Sequence, residues 1–268
     1  MGTFSLPTFN CFGAPAPLTR RRLLTLAYEL NQRADSVVCL QEVQANPYRK
    51  LLIEACTAYP TNVFEPFVHA PKGGLLTLTR LPIEQRAFTL YRDRQIPYPP
   101  AVMDWLLHKG ILLIQATIDR VPVVVLNTHL SANYSVDWSE NNRYAQVERD
   151  QLRHLAELVR AQAREALVVA AGDFNIPRGS RLYTNFLADS GMIDPLAGDT
   201  RPTHRTPPGI PARFAMPIDF ALVRLPQLPG LAVHSELCFT KRRPFVGGRQ
   251  GYLSDHFALE LRITWDND

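Results

Sequence analysis

The side chains that could do chemistry are scattered along the chain: Asn10, Glu42, His129, Asp173 with Asn175, Asp219, and Asp255 with His256. Nearly all sit where an apolar run begins or ends. Glu42 follows Val37-Val38-Cys39-Leu40-Gln41, His129 follows Val123 to Thr128, and Asp173 and Asn175 follow Leu167 to Gly172. Asp219 precedes Phe220 to Val223, and Asp255-His256 precede Phe257 to Leu259. Strand ends are where a scaffold holds functional groups rigidly. Taken singly, each residue has an ordinary structural reading: a solvated loop acid, an Asp capping a turn ahead of Pro177, a histidine satisfied in the core. So many of them at strand ends point to one site.

Metal-assisted hydrolysis of a phosphodiester requires such a set. The carboxylate of Glu42 suits a hard cation, Mg²⁺ first and Mn²⁺ as the alternative, which keeps several waters and binds phosphate oxygens directly. Asp173 can orient or deprotonate the attacking water, while the amides of Asn10 and Asn175 can donate to phosphate oxygens without adding charge. His256 can donate to a phosphoryl oxygen as an imidazolium, provided that an acid such as Asp219 holds its other ring nitrogen and raises its pKa.

Positioning these groups needs strands. Short apolar runs between turn signals predict them at Thr8 to Phe12, Ser36 to Leu40, Gly74 to Leu78, Ile111 to Thr117, Val121 to Asn127, Leu167 to Ala171, Phe220 to Val223 and Phe257 to Ile263. Helical spacing of Leu23, Leu26, Ala27 and Leu30 predicts a helix over Leu18 to Arg33; Leu152, Leu155, Leu158 and Val159 predict one over Asn142 to Arg164. Asn46 to Ala58 reads as a shorter helix. A tight Asp119-Arg120 turn between two of the strands favours antiparallel pairing with helices outside, hence a layered α+β sandwich. Asp199 to Pro217, rich in Pro and Arg, reads as a long surface loop facing substrate.

With 268 residues, 46% hydrophobic and 20% charged, the chain is expected to form one globular domain over residues 1–268, which excludes disordered, coiled-coil and collagen-like classes. The net charge of +4 is spread rather than gathered, which suits an anionic phosphate substrate without requiring nucleic acid. Cys11, Cys39, Cys56 and Cys238 form no CxxC pair, which argues against a zinc site or a disulfide framework. No apolar run reaches the roughly 20 residues of a membrane span, so membrane contact would be peripheral. Met1 to Leu6 shows neither an export signal nor a myristoylation signal. The expectation is a cytoplasmic monomer.

Together, Asn10-Cys11-Phe12-Gly13, Leu40-Gln41-Glu42-Val43, Asn127-Thr128-His129-Leu130, Gly172-Asp173-Phe174-Asn175, Pro217-Ile218-Asp219-Phe220 and Leu253-Ser254-Asp255-His256 resemble the endonuclease/exonuclease/phosphatase superfamily, in its order and over almost the entire chain. The resemblance implies a four-layered α/β/β/α sandwich with two packed mixed, largely antiparallel sheets, and a Mg²⁺-dependent attack of water on phosphorus. It assigns Glu42 to the metal, with Asn10 and Asp255 beside metal and phosphate. Asp173 would activate the nucleophile, Asn175 position the phosphate, Asp219 orient His256, and His129 serve as a further phosphate donor or general acid.

Within that superfamily, Asn10 to Gly13, Pro97-Tyr98-Pro99, Asp104-Trp105, Lys109-Gly110, Thr128 to Leu130 and Asn133-Tyr134 look similar to neutral sphingomyelinases. His129 departs from the Tyr of abasic-site endonucleases, and Lys72-Gly73-Gly74-Leu75 lacks the acid of the secreted deoxyribonuclease-I branch. A lipid phosphodiesterase of the phospholipase C type is therefore the first expectation, with Ile96 to Leu107 as an apolar surface for lipid. The second is a DNA or RNA nuclease using Arg201, Arg205, Arg213 and Lys241-Arg242-Arg243 on phosphates. The third is a small-molecule or inositol phosphate phosphatase, since monoester and diester chemistry use the same metal and water. A lipid headgroup is preferred to nucleic acid as the substrate.

Overall fold

In the computed structural model, which describes residues 1–33, 35–92, 106–206 and 209–266, two mixed sheets pack face to face. At the centre of the first, β1 (Gly2–Asn10) runs parallel to β2 (Val37–Gln41) and antiparallel to β13 (Ala258–Trp265). β10 (Ala232–Cys238) flanks β13, and β4 (Leu76–Thr79) and β3 (Thr61–Val63) continue beyond β2. The second sheet runs β5 (Gln85–Leu90), β6 (Gly110–Ile118), β7 (Val121–His129), β8 (Leu167–Asp173), β9 (Asp219–Arg224), antiparallel throughout except where β7 lies beside β8. A small hairpin, β11 (Arg243–Pro244) with β12 (Gln250–Gly251), stands apart.

Period-2 alternation explains the sandwich. Phe4, Leu6, Cys39, Val125, Val169 and Ala221 meet between the sheets, and the residues that alternate with them face outward under helices. α1 (Thr19–Arg33) and α2 (Asn46–Ala55) cover the first sheet through Leu23, Leu26, Leu30 and Leu52. α3 (Arg143–Arg160) and α4 (Arg181–Ser190) cover the second through Leu152, Leu155 and Phe186. The order of layers is thus α/β/β/α. α3 starts where the Asn142 side chain accepts from the backbone N–H groups of Tyr144 and Ala145. Each leucine it then buries contributes about 1.5–3 kcal/mol.

Several elements differ from the sequence expectations. β1 begins at Gly2 rather than Thr8, because Phe4 and Leu6 alternate with polar residues; its Pro7 is tolerated since pairing with β2 starts only at Thr8. α3 ends at Arg160, and β3, β5, β10 and α4 lie where no element was expected. The Asp119-Arg120 turn takes positive φ at both residues, the twist that a two-residue hairpin requires. Of Ile96 to Leu107, only Leu106 and Leu107 fall within the described residues; Leu106 is exposed and Leu107 buried. No described helix is long and apolar enough to cross a membrane.

Candidate active site

The two parallel strand pairs aim the site residues at one edge of the sandwich. β1 and β2 pair Asn10 with Gln41, so Glu42 emerges next to Asn10; β7 and β8 pair His129 with Asp173; antiparallel β9 brings Asp219 opposite Asp173. Asn10 then joins the sheets, its Nδ2 donating to Glu42 Oε1 at 2.9 Å and to Asp173 Oδ2 at 3.0 Å. Beneath it, Gln41 Nε2 donates to Asn127 Oδ1 at 2.8 Å, and Asn127 donates onward to Leu40 O, Leu76 O and Thr77 Oγ1. This fully buried amide pair fixes the register of one sheet against the other, because slippage would strand its polar groups away from water.

Backbone constraints explain the short motifs around these side chains. Gly13 N–H donates to Glu42 O at 2.8 Å, and a Cβ on Gly13 would lie 2.4 Å from that oxygen. Gly172, at φ 148°, passes so close to β7 that a Cβ would meet Thr128 O at 1.8 Å. Glu42 and Asn175 hold positive φ of 56° and 53°, a conformation that costs a residue such as Glu about 1–3 kcal/mol and recurs at functional sites. In that conformation Asn175 N–H donates to Asp173 Oδ1 at 3.0 Å, and its Nδ2 donates to Leu130 O at 2.9 Å.

Facing Asp173, His256 holds Asp219 Oδ2 at 2.9 Å through Nδ1 and presents Nε2 3.8 Å from Asp173 Oδ2. Burial works against charge on His256, but Asp219, Asp173 and Asp255 outweigh it and lift the imidazolium to about 10. Burial and the nearby Asp219 charge raise the Asp173 carboxyl to about 7. His129 goes the other way: burial, with the Lys109 and His256 charges, pushes it well below its ordinary value. It is therefore a neutral group, with Nε2 3.6 Å from Asp173 Oδ2 and a buried Nδ1 that makes no hydrogen bond within the described chain.

Two compact groups of ligand atoms lie here, each within 4.8 Å: Glu42, His129 and Asp173, and Asp173, Asp219 and His256. Asp255 belongs to neither. It is exposed, and its Oδ1 accepts from Ser254 Oγ at 3.0 Å. Burial raises the Glu42 pKa, and the Asp255 charge adds to the effect. A half-buried Glu42 carboxylate that feels the charge of exposed Asp255, beside the Asn10 amide, offers hard oxygen donors whose charge a divalent cation would relieve. As it stands, Asn10 Oδ1 accepts from Phe12 N at 3.1 Å; a half-turn of the amide would offer that oxygen to a cation.

Two site residues escaped the sequence reading of roles. Lys109 is buried, its Nζ donates to Leu130 O at 2.7 Å, and its charge acts on Glu42, Asp173 and His129. A lone lysine ahead of an apolar strand was the available signal. Thr203 is fully buried, so the stretch Asp199 to Pro217 is not wholly a surface loop. Thr203 Oγ1 donates to Asp219 Oδ2 at 2.6 Å and accepts from the N–H groups of Ile218 and Asp219 at 3.0 Å. Next to it, the His204 ring lies 5.7 Å from that of His256.

The basic residues expected to hold nucleic-acid phosphates are partly engaged elsewhere. Arg201 pairs with Asp199, Arg243 approaches Glu29, and Arg205 lies over the Tyr252 and Phe257 rings while donating to Ser254 O.

A layered sandwich that concentrates acids, amides and a charged histidine at one sheet edge is the arrangement of a phosphoric-ester hydrolase. A model of the Endonuclease/Exonuclease/phosphatase family matches residues 8–256, and the chain belongs to that family. No curated protein matches the sequence significantly. Among solved structures, sphingomyelinase C from Streptomyces griseocarneus aligns with a TM-score of 0.74 at 20% identity, covering 98% of this chain and 99% of that one. D. rerio TDP2 complexed with a single strand DNA product gives 0.74 at 18% identity over 98% and 99%. Beta toxin from Staphylococcus aureus with bound magnesium ions gives 0.73 at 14% identity over 97% and 99%. At such identities these structures share the fold with this chain.

Proposed function

We propose that the chain is a Mg²⁺-dependent phosphodiesterase of the phospholipase C type, which releases a phosphorylated headgroup from a lipid by in-line attack of water on phosphorus. The observation that carries the reaction is Asp173 Oδ2, set between the Asn10 amide and the Nε2 atoms of His129 and His256. Asp173 orients the attacking water and takes its proton at Oδ2 as the water oxygen bonds to phosphorus, while the bond from phosphorus to the lipid oxygen breaks and the leaving alkoxide takes a proton from solvent water. His256, charged and held by Asp219 at Nδ1, donates from Nε2 to a phosphoryl oxygen, and neutral His129 and the Asn175 amide donate to the others. Glu42, with Asp255 and Asn10, would hold the cation. A bound Mg²⁺ offsets phosphate charge and polarises the P–O bonds. The working unit is a monomer acting at the membrane surface.

What supports a lipid over other esters is the apolar rim. Phe12, Tyr134, Val136, Ile210, Phe214 and Tyr252 are exposed, and they lie on the loops that carry or adjoin Asn10, His129, Asp219 and Asp255. Exposed apolar side chains gathered around a polar site suit an interface with acyl chains. A nuclease is the second reading, and the TDP2 structure with a DNA product favours it. A hydrolysis panel in Mg²⁺ with sphingomyelin, lysophospholipids, abasic and intact duplex DNA, and inositol phosphates separates the readings. Turnover of a choline lipid is the expected result; DNA cleavage without lipid turnover overturns it.

A further inference from the structure

Outside the catalytic edge, Ala16, Leu18, Arg20, Arg21, Tyr48 and Arg249 line a cleft of about 700 Å³ between the start of α1, the start of α2 and the β11–β12 hairpin. No acid lines it. The guanidinium groups of Arg20, Arg21 and Arg249 make no hydrogen bond or ion pair within the described chain, unlike most other arginines here. Their placement also breaks a local rule, because the first turn of α1 holds arginines and no acid, where the helix dipole disfavours cations. Unneutralised cations at the positive end of a helix are tolerated where an anion completes the arrangement.

The walls of the cleft are fixed. Val246 N–H donates to Thr25 Oγ1 at 3.1 Å and Arg243 lies 3.6 Å from Glu29, so the hairpin is bound to α1. Gly247, at φ 94°, lets the Arg21 guanidinium approach its backbone, where a Cβ would lie 3.0 Å from Arg21 Nη1. Buried Arg22 ties the same loop to the catalytic edge by donating to Cys11 O, Phe12 O and Leu253 O.

We propose that this cleft is a second phosphate-binding site, which takes a phosphate group through Arg20, Arg21 and Arg249 with the Tyr48 hydroxyl, separately from the catalytic centre. Guanidinium forks match phosphate oxygens bidentately, and each lost charge-assisted bond is worth roughly tenfold in affinity. The phosphate can be free or part of a lipid headgroup, and two assay arms separate these sources.

Calorimetric titration of the full chain with inorganic phosphate, and sedimentation with phosphatidylcholine vesicles with and without phosphatidic acid, are both run in excess chelator. No turnover is read, so the result stands whichever ester the enzyme hydrolyses. The wild type is expected to bind in at least one arm, and the Arg20→Gln/Arg249→Gln double variant to bind about a hundredfold more weakly there. Binding of inorganic phosphate identifies the free anion; binding only of vesicles containing phosphatidic acid identifies the headgroup. The control Arg86→Gln/Arg164→Gln removes two exposed charges outside the cleft. Equal loss in that control, undiminished binding by the double variant, or no wild-type binding in either arm overturns the proposal. Both arginines are exposed, and matching circular dichroism melts confirm that each variant is folded.

Discussion

Replacing Glu148 by Gln tests how the interior beside the site handles charge. Glu148 lies on α3, fully buried, with Oε2 accepting from Asn133 Nδ2 at 3.3 Å. Burial lifts its carboxyl from 4.5 to about 9, against the pull of Asn133, Trp138 and Lys109. The folded protein therefore keeps this acid neutral at pH values where the unfolded chain ionises it. The unfolded state then binds fewer protons, so this group's contribution to stability is full below the unfolded pKa of 4.5 and falls as pH rises toward about 9. At about 1.4 kcal/mol per pH unit, the loss between about pH 5 and pH 8 is on the order of 4 kcal/mol, and relaxation around the carboxylate will reduce it. Gln has no such proton to lose. In urea denaturation across that range, the Glu148→Gln variant should gain on the wild type by about 2–4 kcal/mol from the acid end to the alkaline end. A stability difference that stays constant with pH, within about 0.5 kcal/mol, would refute a neutral Glu148.

Asp219→Asn should lower kcat by about 10²- to 10⁴-fold with little change in KM, and move the alkaline limb of the kcat profile to lower pH, since burial then depresses His256 against Asp173 and Asp255 alone. An unchanged profile contradicts the orienting role. Thr203→Val should cut kcat more than it lowers thermal stability, and Thr203→Ser should restore most of it by keeping the hydroxyl 2.6 Å from Asp219; equal activity of the two variants argues against a positioning role. Gly172→Ala places a methyl against Thr128 O and should cost more than about 3 kcal/mol or prevent soluble accumulation; a melting temperature near wild type contradicts the close approach.

What could be read from sequence followed burial. β7 and β8 are buried almost throughout and announce themselves as apolar runs, whereas β5 and β10 are edge strands with half-exposed faces and little periodicity to detect. α4 was detectable in principle, with Ser180 accepting from Tyr183 N–H at its start and Gly191 at φ 68° at its end, but its apolar face is short. At the site, acids and histidines at strand ends were legible because polar residues are costly there. The Glu42 backbone conformation and the Thr203 hydroxyl under Asp219 were not. Each depends on contacts between segments far apart in sequence, which no local pattern encodes.

Glu42 is the proposed centre of the cation site, and the Mg²⁺ dependence of bis(p-nitrophenyl) phosphate hydrolysis by the wild type and Glu42→Gln tests that role without assuming a natural substrate. The wild type should be inactive in excess chelator and recover fully with Mg²⁺, while Glu42→Gln should need at least about tenfold more Mg²⁺ for half-maximal rate. Full wild-type activity in chelator, or an unchanged Mg²⁺ requirement in the variant, would contradict it.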